Sequence, residues 1–126
     1  MNYERNALIG QWFSSSFNEN NQPITEFANI MVDGSFEFTF SYYDENNTII
    51  EQVTELGKWG LVGNIHFTIT QSESVNEQCY EADQEEPDNY HAYQVLELNS
   101  KIFKYQHVIT QEVFILKRVI DKIAHC

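Results

Sequence analysis

Basic residues are scarce in this sequence, and their scarcity excludes two kinds of partner. Only 7 of its 126 residues are Lys or Arg, against 19 Asp or Glu, so the formal net charge is −12. A surface of this charge repels nucleic-acid phosphates and anionic lipid head groups. We therefore predict no nucleic-acid partner and no membrane binding through charge. The acidity is typical of a surface that favours solubility.

Cysteines and long apolar runs are also few. Cys79 and Cys126 could form one disulfide in an exported protein, but without a leader peptide two free thiols are the favoured prediction. No apolar run is long enough to span a bilayer, and none follows a basic start as in a signal peptide. As written, the sequence is expected to be cytoplasmic, or exported if a leader was removed, without membrane insertion.

Motifs of known enzymes are missing from the sequence. It contains no Gly-rich phosphate loop and no nucleophile elbow. Its Cys and His spacing fits no structural zinc site, and its acidic segment lacks calcium-loop spacing. We therefore predict no metal and no cofactor, and the enzyme class stays a minor alternative.

Aromatic residues, by contrast, are abundant: 9 Phe, 7 Tyr and 2 Trp. Four of them, Phe36, Phe38, Phe40 and Tyr42, alternate with polar residues, which predicts a strand with one buried face. Alternation of this kind recurs along most of the chain, no helical period is present, and the links are short. We predict an all-β fold in one domain over residues 1–126, with eight antiparallel strands running up and down.

Turn signals predict how neighbouring strands pair. A two-residue turn at Asp33-Gly34 pairs Met31 with Phe36, Asn29 with Phe38, Phe27 with Phe40, and Thr25 with Tyr42. A turn at Asn99-Ser100 pairs Leu98 with Lys101, Leu96 with Phe103, Gln94 with Tyr105, and Ala92 with His107. A three-residue turn over 62–64 pairs Trp59 with Phe67. The facing of the fourth strand stays open, with either Val53 or the pair Ile50 and Leu56 inward.

Eight such strands can remove their edges by closing into a barrel. The interior is then filled by side chains or holds one small ligand. A two-sheet sandwich is the alternative, but it predicts longer crossover links than the sequence has.

Short motifs at both ends of the chain resemble those of lipocalins and related calycins. Gly10-Gln11-Trp12 resembles the Gly-x-Trp of the first lipocalin strand, and Arg118 stands where the family has an Arg packed across that Trp. Gly57-Lys58-Trp59, followed by Gly63-Asn64, is similar to a hairpin of small bacterial lipocalin-like domains. The resemblance implies a barrel whose closed end contains Trp12, Trp59 and Arg118.

The other end of the predicted barrel collects aromatic side chains with polar tips. The acidic segment 72–89 is expected to be a mobile loop over this open end, and residues 120–126 a tail. The predicted ligand is one small apolar or amphipathic molecule. The predicted ligand-binding residues are Phe27, Phe40, Tyr42, Tyr90, Gln94, Tyr105, His107 and Phe114.

Two other functions remain open. A solid barrel could be an interaction module or a homodimer, through apolar residues expected on its outer face: Ile30, Val32, Tyr93, Val95, Ile102 and Val108. An enzyme could use His107 with a rim tyrosine. In the predicted register His107 faces inward and His91 outward, so the two are not expected to meet.

Overall fold

Antiparallel strands form nearly all the regular structure in the computed structural model, which describes residues 3–119. One short helix, α1, precedes the first strand, and a single 3₁₀ turn, Pro87–Asn89, precedes β7. The bounds are α1 Arg5–Leu8, β1 Gly10–Phe17, β2 Pro23–Ile30, β3 Ser35–Tyr43, β4 Ile49–Val62, β5 Ile65–Val75, β6 Gln78–Glu81, β7 Tyr90–Leu98, β8 Ile102–His107 and β9 Val113–Arg118.

Eight of these strands close into a barrel. Each strand pairs with its neighbour in the order β1, β2, β3, β4, β5, β7, β8, β9, and β9 returns to β1. β6 is an addition that pairs with the far half of β5. The predicted all-β, eight-stranded antiparallel barrel is thus confirmed, because closure satisfies the edges that β1 and β9 would otherwise expose.

One end of the barrel is closed by a Trp–Arg pair. Trp12 lies opposite Arg118 in the β1–β9 pairing, and the guanidinium carbon is 4.1 Å from the centre of the indole. Arg118 also donates to the backbone carbonyls of Ala7 and Ile9, at 2.7 and 3.0 Å. The Trp12 Nε1–H donates to the Leu8 carbonyl. Arg118 therefore ties α1 to the last strand across the end of the barrel.

The conformation of Gly10 explains why the Gly-x-Trp motif begins with a glycine. Its φ is +136°, and a Cβ at this position would collide with the Arg118 guanidinium. A second, more exposed stack covers the other tryptophan, since the guanidinium carbon of Arg5 lies 4.6 Å from the Trp59 ring centre.

The predicted register between β2 and β3 is wrong by one residue. Ile30 pairs with Phe36, Ala28 with Phe38, Glu26 with Phe40, and Ile24 with Tyr42. The turn has three residues, Val32 to Gly34, rather than two, with Gly34 at φ +92°. Three-residue turns that end on a left-handed residue are also common in hairpins. Because side chains alternate, this one extra residue turns Phe27, Asn29 and Met31 outward.

The predicted register between β7 and β8 is wrong for two reasons, a displaced turn and a bulge. The Asn99 N–H donates to the Ile102 carbonyl, so the turn lies at Ser100-Lys101 and not at Asn99-Ser100. Leu98 pairs with Phe103, but Val95 pairs with Tyr105 and Tyr93 with His107. Leu96 is the extra residue, and it forms a β-bulge in β7 between the Val95–Tyr105 pair and the Leu98–Phe103 pair. The bulge reverses the facing of the rest of β7, so Gln94 points outward.

The turn between β4 and β5 differs as well. Gly63 and Asn64 alone connect Val62 to Ile65, so Trp59 pairs with Thr68 and not with Phe67. His66 and Thr68 are therefore buried, in place of the predicted Phe67. The facing left open for β4 is also resolved. Val53 pairs with the inward Phe40, and Leu56 is exposed.

The acidic segment 72–89 is more ordered in structure than predicted. β5 continues to Val75 and forms a hairpin with β6, which carries the exposed Cys79. The Gln84 amide then donates to the Thr70 carbonyl, and the Tyr90 hydroxyl to the Gln84 carbonyl.

The predicted tail 120–126, with Cys126, lies outside the described residues. Within residues 3–119 no helix has the length and apolar character to cross a membrane.

Candidate functional site

A cavity lies inside the barrel above the Trp12–Arg118 end. Its volume is about 150 Å³. Aromatic rings, two carboxyl groups and two imidazoles line it together with small and aliphatic side chains. The lining residues are Glu26, Ala28, Ile30, Phe38, Phe40, Glu55, His66, Thr68, His91, Tyr93, Phe103, Tyr105, Phe114 and Leu116.

An opening in the wall leads from this cavity toward solvent. β1 and β9 pair only at Trp12–Arg118 and Phe13–Lys117, so their other halves separate. A groove of about 430 Å³ occupies the gap. Glu26, Phe40 and Phe114 line both the groove and the cavity, so the two spaces adjoin at these side chains.

Glu26 is the carboxyl group where the cavity and the groove meet. It comes from the middle of β2, between Ser14 on β1 and Phe40 on β3. Its pKa is raised from 4.5 to about 7, mainly by burial and in smaller part by the nearby carboxylates of Glu55 and Glu112. A carboxyl group of this pKa is partly neutral and partly ionised at neutral pH.

Glu55 is a second carboxyl group in the same cavity. It projects from β4 and accepts a hydrogen bond from the Thr70 hydroxyl at 3.4 Å. Burial is the main cause that raises its pKa, and the Glu73 carboxylate adds to the effect. Two carboxyl groups that share a cavity repel each other when ionised, which favours protonation or a bound cation.

His66 is a buried imidazole on the cavity wall. It is 2% exposed and packs among the rings of Trp59, Tyr93, Phe103 and Tyr105. Burial lowers its pKa to about 4, although the Gly60 backbone opposes the shift, so the ring is neutral at neutral pH. Its Nδ1 has no hydrogen-bond partner among the described residues.

Two tyrosines connect this imidazole to the aromatic wall. The Tyr93 and Tyr105 rings meet edge to face at 4.9 Å, and Tyr105 stacks on Phe114 at 5.2 Å. Burial raises the pKa of both tyrosines, so both hydroxyls are protonated.

His91 and His107 form a pair near the open end, contrary to the prediction that they do not meet. His107 Nδ1 accepts the backbone N–H groups of Ile109 and Thr110, at 3.1 and 3.3 Å. That nitrogen therefore carries no proton, and in the neutral ring Nε2–H donates to His91 Nδ1 at 3.1 Å. Burial lowers the pKa of His91, and His107 lowers it further. Both nitrogens of His107 are occupied, which leaves none free for a substrate.

The structure brings some of the predicted ligand-binding residues together and separates others. Phe40, Phe114 and Tyr105 line the cavity, and Tyr42 lines the groove. His107 borders the cavity through His91. The predicted inward facing of three others is wrong. They lie on the outer face: Phe27, Gln94 and Tyr90, which is 45% exposed.

The outer apolar face predicted for an interaction module also changes. Ile30, Tyr93 and Val95 face the interior instead, because of the two register differences. Val32 and Val108 remain exposed.

Sequence reasoning missed three polar groups of the cavity, Glu26, His66 and His91, and left the facing of Glu55 open together with the rest of β4. A signal for Glu26 was available, because Ile24, Ala28 and Ile30 mark the even positions of β2 as apolar. A two-residue turn at Asp33-Gly34 predicts the opposite facing and so conflicts with this alternation.

The lining of the cavity is mixed in character. It combines aromatic walls with a few polar groups that could orient a ligand. No group of three or more His, Cys, Asp or Glu side chains within residues 3–119 is arranged to hold a metal ion.

Comparison with solved structures gives the same fold. The chain is similar to a lipocalin-like protein from Bacteroides uniformis, with a TM-score of 0.54 and 15% identity over 90% of this chain and 99% of that chain. No protein-family model matches the sequence, and no curated protein does either. The similarity establishes a lipocalin-like barrel fold, as the Gly-x-Trp motif and Arg118 predict.

Proposed function

We propose, on the premise of this lipocalin-like fold, that the protein binds one small, partly apolar molecule in the barrel lumen. The observation that carries the proposal is the cavity of about 150 Å³, walled by aromatic rings and open to a groove. An apolar cavity of this size is large enough for a benzene-sized molecule. Phe40, Tyr105 and Phe114 form its walls, and His107 supports it through His91.

The adjoining groove supports entry from the side. Because β1 and β9 part above Phe13, a ligand could pass between them without breaking a strand pairing. Tyr42 lines this route, and its ring could contact a part of the ligand that extends beyond the cavity.

A substitution that fills the lumen tests the proposal. Ala28 lines the cavity and is 1% exposed, so Ala28→Leu removes the space for a ring. Asn29→Leu places the same side chain on the outer face of the same strand and is the matched control. We expect ligand-observed NMR to detect binding of toluene, benzyl alcohol or benzylamine by the wild type and Asn29→Leu, and none by Ala28→Leu. If the wild type binds none of the three, the lumen is not a ligand site.

A further inference from the structure

The lumen carries negative charge and no positive charge of its own. Glu26 and Glu55 line the cavity, and neither it nor the groove has a Lys or Arg in its lining. The arginines of the closed end, Arg5 and Arg118, lie over Trp59 and Trp12 instead. An ionised carboxylate in this lumen therefore has no cation from the described chain to pair with.

Polar groups of the cavity also lack hydrogen-bond partners. Within residues 3–119, no side chain or backbone group donates to the Glu26 carboxyl. The Nδ1 atom of the buried His66 has no partner either. We assign the ring proton of the neutral His66 to Nε2, on the side of the Gly60 backbone, so that Nδ1 is an acceptor. Buried polar groups are nearly always hydrogen-bonded. The unpartnered Nδ1 of His66 therefore points to a ligand that donates. The Glu26 carboxyl, on another strand of the same cavity, is a second acceptor for such a ligand.

The rest of the cavity is suited to an apolar body beside such a donor. Its aromatic lining includes Phe38, Phe40, Phe103 and Phe114. Ring faces attract an ammonium group, and the attraction grows when water is excluded. The volume limits the body to about the size of one ring.

We propose that the lumen binds a small primary amine with a ring-sized apolar body, its ammonium group held by Glu26 and Glu55. This inference rests on the proposed function, since it assigns a ligand class to the same lumen. His66 Nδ1 accepts a further hydrogen bond from the ligand, and the aromatic walls enclose its body.

Amine binding should depend on pH in a defined direction. The titratable groups around Glu26 are Glu55 from β4, Glu112 before β9, Tyr93 from β7 and Tyr105 from β8. The imidazoles of His66 and His91 also line the cavity, and burial lowers the pKa of both, which opposes a positive charge on either ring. The pKa of Glu26 is about 7 without ligand, and an ammonium group lowers it. Binding then releases a proton below about pH 7, while an alkylammonium stays charged. Amine affinity therefore rises between about pH 6 and about pH 8.

Three probes of similar size separate this inference from the proposed function. Calorimetric titration of benzylamine, benzyl alcohol and benzoate at about pH 8 compares a cation, a neutral donor and an anion. We expect benzylamine to bind about tenfold or more tightly than benzyl alcohol, and benzoate not to bind. Glu26→Gln should weaken benzylamine about 10–100-fold and leave benzyl alcohol within about threefold. Glu37→Gln, which removes an exposed carboxylate from the outer face, should change neither.

Calorimetric results other than these would overturn the amine inference, alone or together with the proposed function. If benzyl alcohol binds as tightly as benzylamine, the amine inference is overturned and the lumen remains a ligand site. If Glu37→Gln weakens benzylamine as much as Glu26→Gln does, the preference comes from net charge, and the inference is again overturned. If none of the three probes binds but toluene does, the amine inference is overturned and the lumen remains a ligand site. If toluene does not bind either, the proposed function fails as well.

Discussion

At the residue scale, two buried ionisable groups give the stability opposite dependences on pH. The pKa of Glu26 is raised to about 7, so the folded state holds a proton that the unfolded chain releases above about pH 4.5. The pKa of His66 is lowered to about 4, so the unfolded chain takes up a proton that the folded state refuses. Stability falls as pH rises through the first window, and it falls as pH drops from about 6.5 to 4 through the second.

Glu26→Gln isolates the first of these effects. The amide cannot ionise, so we expect the variant to be more stable than the wild type above about pH 7, by up to about 3 kcal/mol. Near pH 4.5 the difference should shrink to about 0.4 kcal/mol, because the wild-type side chain is then protonated in the folded state and about half protonated in the unfolded chain. Urea denaturation at both pH values measures the difference. The exposed Glu37→Gln is the control, and an equal difference at both pH values would contradict the burial of Glu26.

Arg118 is the residue that fastens the barrel end. It combines a cation–π contact with two hydrogen bonds to the backbone around α1. We expect Arg118→Ala to lower the free energy of unfolding by about 2–4 kcal/mol. Arg5→Ala removes a similar but exposed stack, with one hydrogen bond to Val32, and should cost roughly 1 kcal/mol or less. Equal losses in the two variants would show that Arg118 has no special role in closure.

At the element scale, single extra residues determine which side chains reach the lumen. Leu96 bulges out of β7, which lets Leu98 and Val95 both face inward although they are an odd number of positions apart. Gln71 bulges out of β5 in the same way, between the pairs Leu56–Ser72 and Gly57–Thr70. Such bulges bend and twist a strand, as closure of a small barrel requires.

Gly57 marks the place where this bend brings two backbones together. A Cβ there would collide with the Ile69 carbonyl oxygen and with the Phe36 ring. A Cβ at Gly60 would meet only the Phe67 ring, which is half-buried and can turn. We expect Gly57→Ala to cost about 2–3 kcal/mol of folding free energy and Gly60→Ala about 1 kcal/mol, by chemical denaturation. A smaller loss for Gly57→Ala than for Gly60→Ala would contradict the close approach of β4 and β5.

At the scale of the whole molecule, the excess of acidic residues opposes compaction. The net charge of −12 is spread over a chain of 126 residues, and like charges repel more strongly in the folded state than in the expanded one. Added salt shortens the range of this repulsion.

We therefore expect the melting temperature to rise as salt is added. Between about 10 and 300 mM NaCl the rise should be about 3–5 °C, which corresponds to roughly 1 kcal/mol. Glu85→Lys with Glu86→Lys, both at exposed positions, lowers the magnitude of the net charge and should reduce this rise. Differential scanning calorimetry makes the comparison. A melting temperature that falls with salt would mean that attractive charge pairs outweigh the repulsion.

The sequence by itself determined the strands, their antiparallel order and the closed end. Alternation of aromatic and polar residues, as at Phe36 to Tyr42, is a local property that any pairing partner would leave unchanged. Gly10, Trp12 and Arg118 were identified through short motifs that resemble those of lipocalins, and the contact that the resemblance implies requires β1 and β9 to be neighbours. Phe40, Tyr105 and Phe114 face the lumen as predicted, because the alternation along each of their strands is also a local property.

Only the tertiary structure decided which face of β2 and β7 meets the lumen. A turn of two or three residues at Asp33-Gly34 is equally acceptable to the local chain, and so is a strand with or without a bulge at Leu96. The choice depends on which side chains fill the barrel together, and a shift of one residue exchanges the two faces. As a result, Glu26 and His91 face the lumen although the predicted register turned them outward, and Phe27 and Gln94 face outward although it turned them inward.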